Sequence, residues 1–467
     1  MIGLKLLLAV TSCVLPLIPW LDRVIPRGAS YRYWLLAGYS TLLGMVFVTV
    51  LMRLLNTIGI TLSPTNIYMS LLLIFLAGFL VPPRLQLSTG LPPLQASQAR
   101  NSKVFRAITL VCLGLIAFRL LVLGMEVATR PIFAWDAKQH WAKQAKVFFD
   151  HAGIPSFVSL EEWLLPHDEV VFTNMHPDYP IGVPLLQAWF SLALGQWHDV
   201  LVNIPWLMMF AALGMIFYAQ LRYAGASDVV AIASTYMMLS LPYLNTHVAL
   251  AGYADLLLAC LFLGAAAAFG NWSIYRQRDQ LMLAILCASC CLTVKNEGLY
   301  WLLSVLPGIV LVMLGIRRGL VALGLALIVL IVALWLMPGD LSISGHTIGN
   351  IDFLYRPESW QPILQSFFTH DNWHLLSYLF LGALLIQVSN QKRFKTLAPL
   401  WLVILSALSL YLVLYLTTRH AHGAVYFTSL NRVALQLIPV MAFFTGLAFV
   451  LLVQEQHQTR VHPTTAA

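Results

Sequence analysis

AWDAKQHWAKQAKVFFD, residues 134–150, and MHPDYPIGVPLLQAWFSLALG, residues 175–195, bracket the longest polar stretch of an otherwise oily chain. Read as a helix, the first places Ala137, Trp141, Ala145 and Phe148 on one face, at i, i+4, i+8 and i+11. Asp136, His140 and Lys143 fall beside that face. The spacing predicts an amphipathic helix at a membrane interface, apolar side down and polar side wet. The second stretch contains an apolar run over 181–195, short of the roughly 20 residues a helix needs to cross a bilayer. It is expected to dip into the outer leaflet as a second helix.

Around these stretches the chain is apolar. Of 467 residues, 60% are hydrophobic and 10% are charged, where a soluble domain carries about 25% charged residues. Apolar segments predict an all-α polytopic membrane protein of about thirteen spans. They lie near 3–20, 33–52, 66–82, 107–126, 198–220, 229–243, 254–270, 281–296, 299–315, 319–337, 373–388, 396–417 and 431–453. The first begins like a signal peptide, after Lys5, but lacks a small-x-small cleavage site and is expected to be a span. Residues 1–106 then form extra N-terminal spans with a Pro-rich linker over 83–106. Residues 107–453 form the main module with its large loop at 127–197, and 454–467 form a tail.

The net charge of +8 could suggest a nucleic-acid partner. Its distribution argues against one. Arg23, Arg27 and Arg32, then Arg84, Arg100, Lys103 and Arg106, then Arg276 and Arg278, Arg317 and Arg318, and Lys392, Arg393 and Lys395 all fall on one side of the alternating spans. Most acidic residues fall on the other. This is the positive-inside bias, and it predicts that 127–197 faces the periplasm and the C-terminus the cytoplasm. The six cysteines all lie in apolar segments, where packing rather than redox or metal chemistry is their expected role. No zinc signature and no phosphate-cradling glycine loop is present.

The polar residues on the outer side have two readings each. Asp136 is either a carboxylate favoured at a helix N-terminus or a base. His176-Pro177-Asp178-Tyr179-Pro180 is a stiff turn into the next helix, with His176 and Asp178 free to face a substrate. In Gly252-Tyr253-Ala254-Asp255 the carboxylate is a cap, or a functional acid at membrane depth. Lys295-Asn296-Glu297-Gly298 is a hairpin turn with a Lys–Glu pair, or a cation for a phosphate. Arg432, with Arg419, His420 and His422 upstream, is a snorkelling cation or part of an anion site.

Taken in order, Trp135-Asp136-Ala137, His176 to Pro180, Tyr253-Ala254-Asp255 and Thr293 to Gly298 resemble the GT-C membrane glycosyltransferases. The similarity is to the polyprenyl-phosphate-sugar-dependent branch. That branch includes protein O-mannosyltransferases, aminoarabinose lipid A transferases and rhizobial lipopolysaccharide glycosyltransferases. The resemblance spans roughly residues 107–453. It implies a multi-span fold with interfacial helices in its first large outer loop, with Asp136 as catalytic carboxylate and Asp255 as the second acidic position. Three departures stand out. The family often has His-Pro-Pro-Leu where this chain has His176-Pro177-Asp178-Tyr179, it pairs acids where this chain has one Asp, and about three spans precede its usual first one.

The resemblance implies sugar transfer from a polyprenyl phosphate, undecaprenyl phosphate in a bacterium, to a lipid, glycan or protein acceptor at the periplasmic face of the inner membrane. Asp136 would deprotonate the acceptor hydroxyl and the anomeric centre would invert. Lys295, Arg432 and Arg419 would hold the phosphate, Asp255 would orient a substrate, and His176, Asp178, Tyr179 and Glu297 would line the site. The scheme requires no metal, although a divalent ion is compatible with it. Membrane lipids are the other expected partners. A transporter or flippase for lipid-linked saccharides, or a diphosphate-dependent polymerase or ligase, is the alternative.

Overall fold

Long apolar runs between Pro, Gly and Asn punctuation wind into helices, because lipid offers the backbone no partner but itself. The computed structural model describes residues 1–26, 29–81, 103–336, 342–343, 346–347 and 354–461. Most of the linker at 83–106, Arg27 and the end of the tail lie outside them. The helices are, in order, α1 (Ile2–Ser12), α2 (Ile18–Val24), α3 (Arg32–Thr57), α4 (Pro64–Leu80), α5 (Lys103–Thr129), α6 (Lys143–His151) and α7 (Leu160–Trp163). Then come α8 (Gly182–Leu194), α9 (Ile204–Tyr223), α10 (Asp228–Leu239), α11 (Pro242–Ala249), α12 (Asp255–Tyr275), α13 (Arg278–Cys291) and α14 (Glu297–Leu314). The last are α15 (Ile316–Leu336), α16 (Trp360–Leu364), α17 (Leu376–Val388), α18 (Gln391–Thr417), α19 (Ala421–Val425) and α20 (Leu430–Val461). Among the described residues, strands are confined to two pairs of two-residue segments. Phe157–Val158 pairs in parallel with Phe172–Thr173 inside the large loop, and Ser342–Ile343 pairs with His346–Thr347.

Nine helical stretches among the described residues are long and apolar enough to cross a membrane. They are α1 with α2, then α3, α5, α9, α12, α14, α15, α18 and α20. The chain is a multi-pass, all-α membrane protein. The other four expected spans are shorter helices: α4 of 17 residues, α10 of 12, α13 of 14 and α17 of 13. Turn residues account for the difference. The apolar window 229–243 runs through Leu241-Pro242, where α10 has ended and α11 begins, and the window 281–296 includes the turn after Cys291.

Helix α12 is the centre. Its most apolar window is 94% buried, against α3, α9, α13, α14, α18 and α20. The run Ala265 to Ala268 suits that position, because small side chains let helices approach closely where lipid gives no hydrophobic drive. Helices α5 and α15 are the opposite case, with 11% and 6% of their apolar windows buried, and present Leu, Val and Ile outward. The N-terminal helices are not appendages. Helix α3 packs on α8 and α9, and α1 packs on α8.

Candidate functional site

The helix of the large loop runs from Trp135, and its Ala137–Ala142 portion is π-wound. Ala137, Trp141, Ala145 and Phe148 share one face as the spacing predicts, but that face is buried against protein, with α8 packed beside it, rather than laid on lipid. Lys143 stays exposed, but His140 does not: it is buried rather than on the wet face. The loop is the reason, since Asn174, His176 and Tyr179 lie against its ring and cover it. Helix α8 departs from expectation too. All thirteen of its residues are buried within the protein, so it fills the loop end of the bundle with protein on every side.

Two close approaches bring the sequence motifs together. Gly252 has φ +112°, a backbone that side chains rarely allow, and a Cβ there would lie 2.5 Å from the Ala137 Cβ. The residue after Asp136 and the loop before Asp255 therefore touch. A Cβ on Gly182 would lie 2.3 Å from the Thr293 carbonyl, so the start of α8 rests on the turn that carries Lys295. Asn296 then donates to Asp178 at 2.9 Å, which ties the His-Pro-Asp-Tyr-Pro turn to the same place.

Five ionisable side chains form one network there. Asp255, at the start of α12, is 0% exposed. Its Oδ1 accepts from Lys295 at 3.2 Å and from Gln436 at 2.7 Å, and its Oδ2 accepts from the Arg432 Nε at 3.1 Å. Gln436 is itself oriented by Trp301, which donates to its oxygen at 2.6 Å. Lys295 also pairs with Glu297 at 2.7 Å. Arg432 spans the gap to the large loop, and its Nη1 donates to the Asp136 Oδ2. The Tyr253 ring lies 4.6 Å from the guanidinium and adds a cation–π contact. Burial alone would push the Lys295 ammonium down, but Asp255 and Glu297 outweigh it and hold the group above the usual lysine range.

The arrangement revises several expected roles. Asp255 has no exposed oxygen to offer a substrate and serves as the anchor for both cations. Lys295, 6% exposed and paired with two carboxylates, is committed to the protein rather than open to a phosphate. Arg432 keeps its Nη2 without a protein acceptor among the described residues, and its side chain is 14% exposed. Asp136 is 35% exposed, with Oδ2 held and Oδ1 making no hydrogen bond to the described protein. Arg419 lies exposed on the turn before α19.

Beside Asp136 stands a stack of rings. His176, exposed, lies on Tyr179 at 5.0 Å and 18°, and Tyr179 lies on the buried Trp141 at 5.9 Å and 27°. His140 sits edge-on to all three. Burial pushes the Tyr179 hydroxyl up to about 12 and the His140 imidazole down to about 4. Burial does the same to His247, which falls to about 4 between Tyr243 and Tyr253.

Gln436 and Trp301 escape the sequence reading, and His140 and Asn296 enter it only as a wet-face residue and a turn residue. Gln436 alone left a signal, because it follows Arg432 by one helical turn on the same face. No group of three metal-ligating side chains occurs among the described residues. Compared with protein-family models, characterised proteins and solved structures, the chain matches none.

Proposed function

We propose that this protein is a glycosyltransferase that takes a sugar from a polyprenyl-phosphate donor at the periplasmic face of the inner membrane, with Asp136 as general base. One observation carries the reading. A partly exposed carboxylate, Asp136, is fixed by one oxygen on a mostly buried cation, Arg432, and among the described residues its other oxygen and the cation's Nη2 make no further hydrogen bond. That is the pairing an inverting transfer from a phosphodiester needs.

In the reaction the acceptor oxygen bonds to the anomeric carbon as the bond from that carbon to the phosphate oxygen breaks. The acceptor's proton passes to the Asp136 Oδ1, and the electron pair leaves with the polyprenyl phosphate. The leaving group gains one negative charge, so it needs a cation rather than an acid. The Arg432 Nη2 can donate to it, a charge-assisted bond worth roughly 1.5–3 kcal/mol, while Asp255 keeps the guanidinium in place. A positioned base contributes about 10²–10⁴-fold. The likeness of Asp136, Asp255 and Lys295 to the GT-C motifs supports the same reading. Transport is the second reading. The network lies at the ends of the membrane-crossing helices α12, α14 and α20, whereas transporters hold cargo near the bilayer midplane, and this favours transfer.

The test is reconstitution in vesicles with a panel of polyprenyl-phosphate sugars and acceptor-bearing membranes of a deletion strain. Wild-type protein should release polyprenyl phosphate from one donor, and Asp136→Asn should not. Equal release by both proteins, or movement of an intact donor across the vesicle without cleavage, overturns the assignment.

A further inference from the structure

Helix α5 has little of its own chain around it, with 11% of its apolar window covered. Its covered face is Ile116, Leu120, Leu123 and Val127, at i, i+4, i+7 and i+11, and the helix packs on α9, α10 and α11. Along the edge of that face run Leu115, Arg119 and Val122, at i, i+4 and i+7. Leu115 and Val122 are each 39% exposed, and Arg119 is partly exposed between them. From Arg106 to Glu126 no other residue of α5 is charged. Among the described residues Arg119 has no hydrogen bond, ion pair or ring contact. Glu126, the carboxylate of the same helix, is already held by Arg130 at 2.6 Å.

An arginine cannot shed its charge, so in a membrane that charge has to be met. Depth keeps it from the headgroups. Arg119 stands three residues past the middle of the 27-residue α5, about 4.5 Å along the axis. In a hydrocarbon layer about 30 Å thick the nearer rim is then about 10 Å away. That rim lies toward the C-terminal end of α5, whereas helical side chains lean toward the N-terminal end. Snorkelling serves long cations near helix ends, and here it would run against the side chain's own direction. What remains is a carboxylate at the same depth. A second copy of this chain cannot bring one. Copies share one orientation in the membrane, so pairing through α5 would set Arg119 beside Arg119. The acids of the nine spans (Asp22, Glu126, Asp255, Glu297 and Glu455) all stand within four residues of a span's end.

We propose that the Leu115–Arg119–Val122 edge of α5 is the seat of a transmembrane helix from another protein, one that carries an aspartate or glutamate near its middle. Leucine and valine offer that helix an apolar contact, and the guanidinium can donate two bonds to its carboxylate. Polar contacts of this kind hold helices together in lipid. The inference is independent of sugar transfer. Energy transfer in phosphatidylcholine vesicles tests it, between the labelled purified protein and synthetic membrane-spanning peptides of about 20 leucines, one with a glutamate at its centre and one without. Wild type should bind the glutamate peptide about five-fold or more tighter than the all-leucine peptide. Arg119→Leu and Arg119→Met should each bind the two peptides alike and melt at the wild-type temperature, since no partner within the chain is lost. If one of them fails to fold, the other carries the comparison. Equal binding of both peptides by wild type, or a glutamate preference that survives the substitution, overturns the proposal. A lower melting temperature in both variants would show that the guanidinium is held within the chain, and overturns it too. So does a preference that vanishes when phosphatidylglycerol is added, which would assign Arg119 to anionic lipid.

Discussion

Replacing Lys295 should damage the fold more than replacing the buried carboxylate it holds. The network has three carboxylates (Asp136, Asp255 and Glu297) and two cations (Lys295 and Arg432). Lys295→Met leaves one cation for three acids. Asp255, with no exposed surface, keeps only Arg432 and Gln436, and Glu297 loses its 2.7 Å partner. Breaking a buried pair from one side costs about 3–5 kcal/mol. Asp255→Asn has the opposite effect on charge. Lys295 keeps Glu297, Arg432 keeps Asp136, and the network becomes neutral, so the loss is that of weakened hydrogen bonds, about 1–2 kcal/mol. For a chain this long the size scaling gives roughly 1–2 °C per kcal/mol. Thermal melting in detergent should then show Lys295→Met lower by about 5 °C, Asp255→Asn by about 2 °C, and the double variant between the two, because Glu297 still lacks its partner there. A double variant that loses the sum of the two, or an Asp255→Asn protein less stable than Lys295→Met, would refute the reasoning.

Four other outcomes are expected. Asp136→Asn should melt like wild type and transfer sugar two to four orders of magnitude more slowly, while Asp178→Asn, whose carboxylate is exposed and bound to Asn296, should lose far less. Gly252→Ala must relieve both a φ of +112° and a 2.5 Å approach to Ala137. It should cost about 2–4 kcal/mol and show as a lowered melting temperature, and an unchanged melting curve would mean that the loop yields freely. His140 and His247 are held neutral when folded, with values near 4 against the ordinary 6.5. Their contribution is therefore complete above pH 6.5 and is lost as pH falls from 6.5 toward 4, and His140→Phe should flatten that part of a stability–pH profile. A cysteine at Leu160, 60% exposed in the large loop, should react with an impermeant maleimide on intact cells; labelling only after permeabilisation would invert the topology.

The apolar runs and the amphipathic face of residues 137–148 were legible because both depend on local spacing. Helix ends were harder. In 229–243 a proline sits within a run whose hydropathy does not fall, so one span was read where α10 and α11 meet. The inward position of His140 was invisible because it depends on Asn174, 34 positions away, and on His176 and Tyr179 beyond it, folding over its ring. The ion pairs were the least legible. Asp136 and Arg432 are separated by 296 positions, and a sequence shows which residues carry charge but not which neighbour neutralises them. Lys295 therefore looked open to a phosphate, although two acids already occupy it.

The order of the partners along the chain has a consequence for how the protein is made. Asp255 enters the membrane first, and Lys295 follows 40 positions later, so the anchor acid is neutralised early in synthesis. Arg432 arrives only with α20. Until then the helix carrying Asp136 has no guanidinium to bind, and the ribosome has already translated every other element of the network. Maturation of the site is thereby tied to insertion of α20. Nascent chains stalled before α20 should display a loosely tethered, protease-sensitive outer loop, and quality-control proteases could tell finished molecules from unfinished ones by that loop alone.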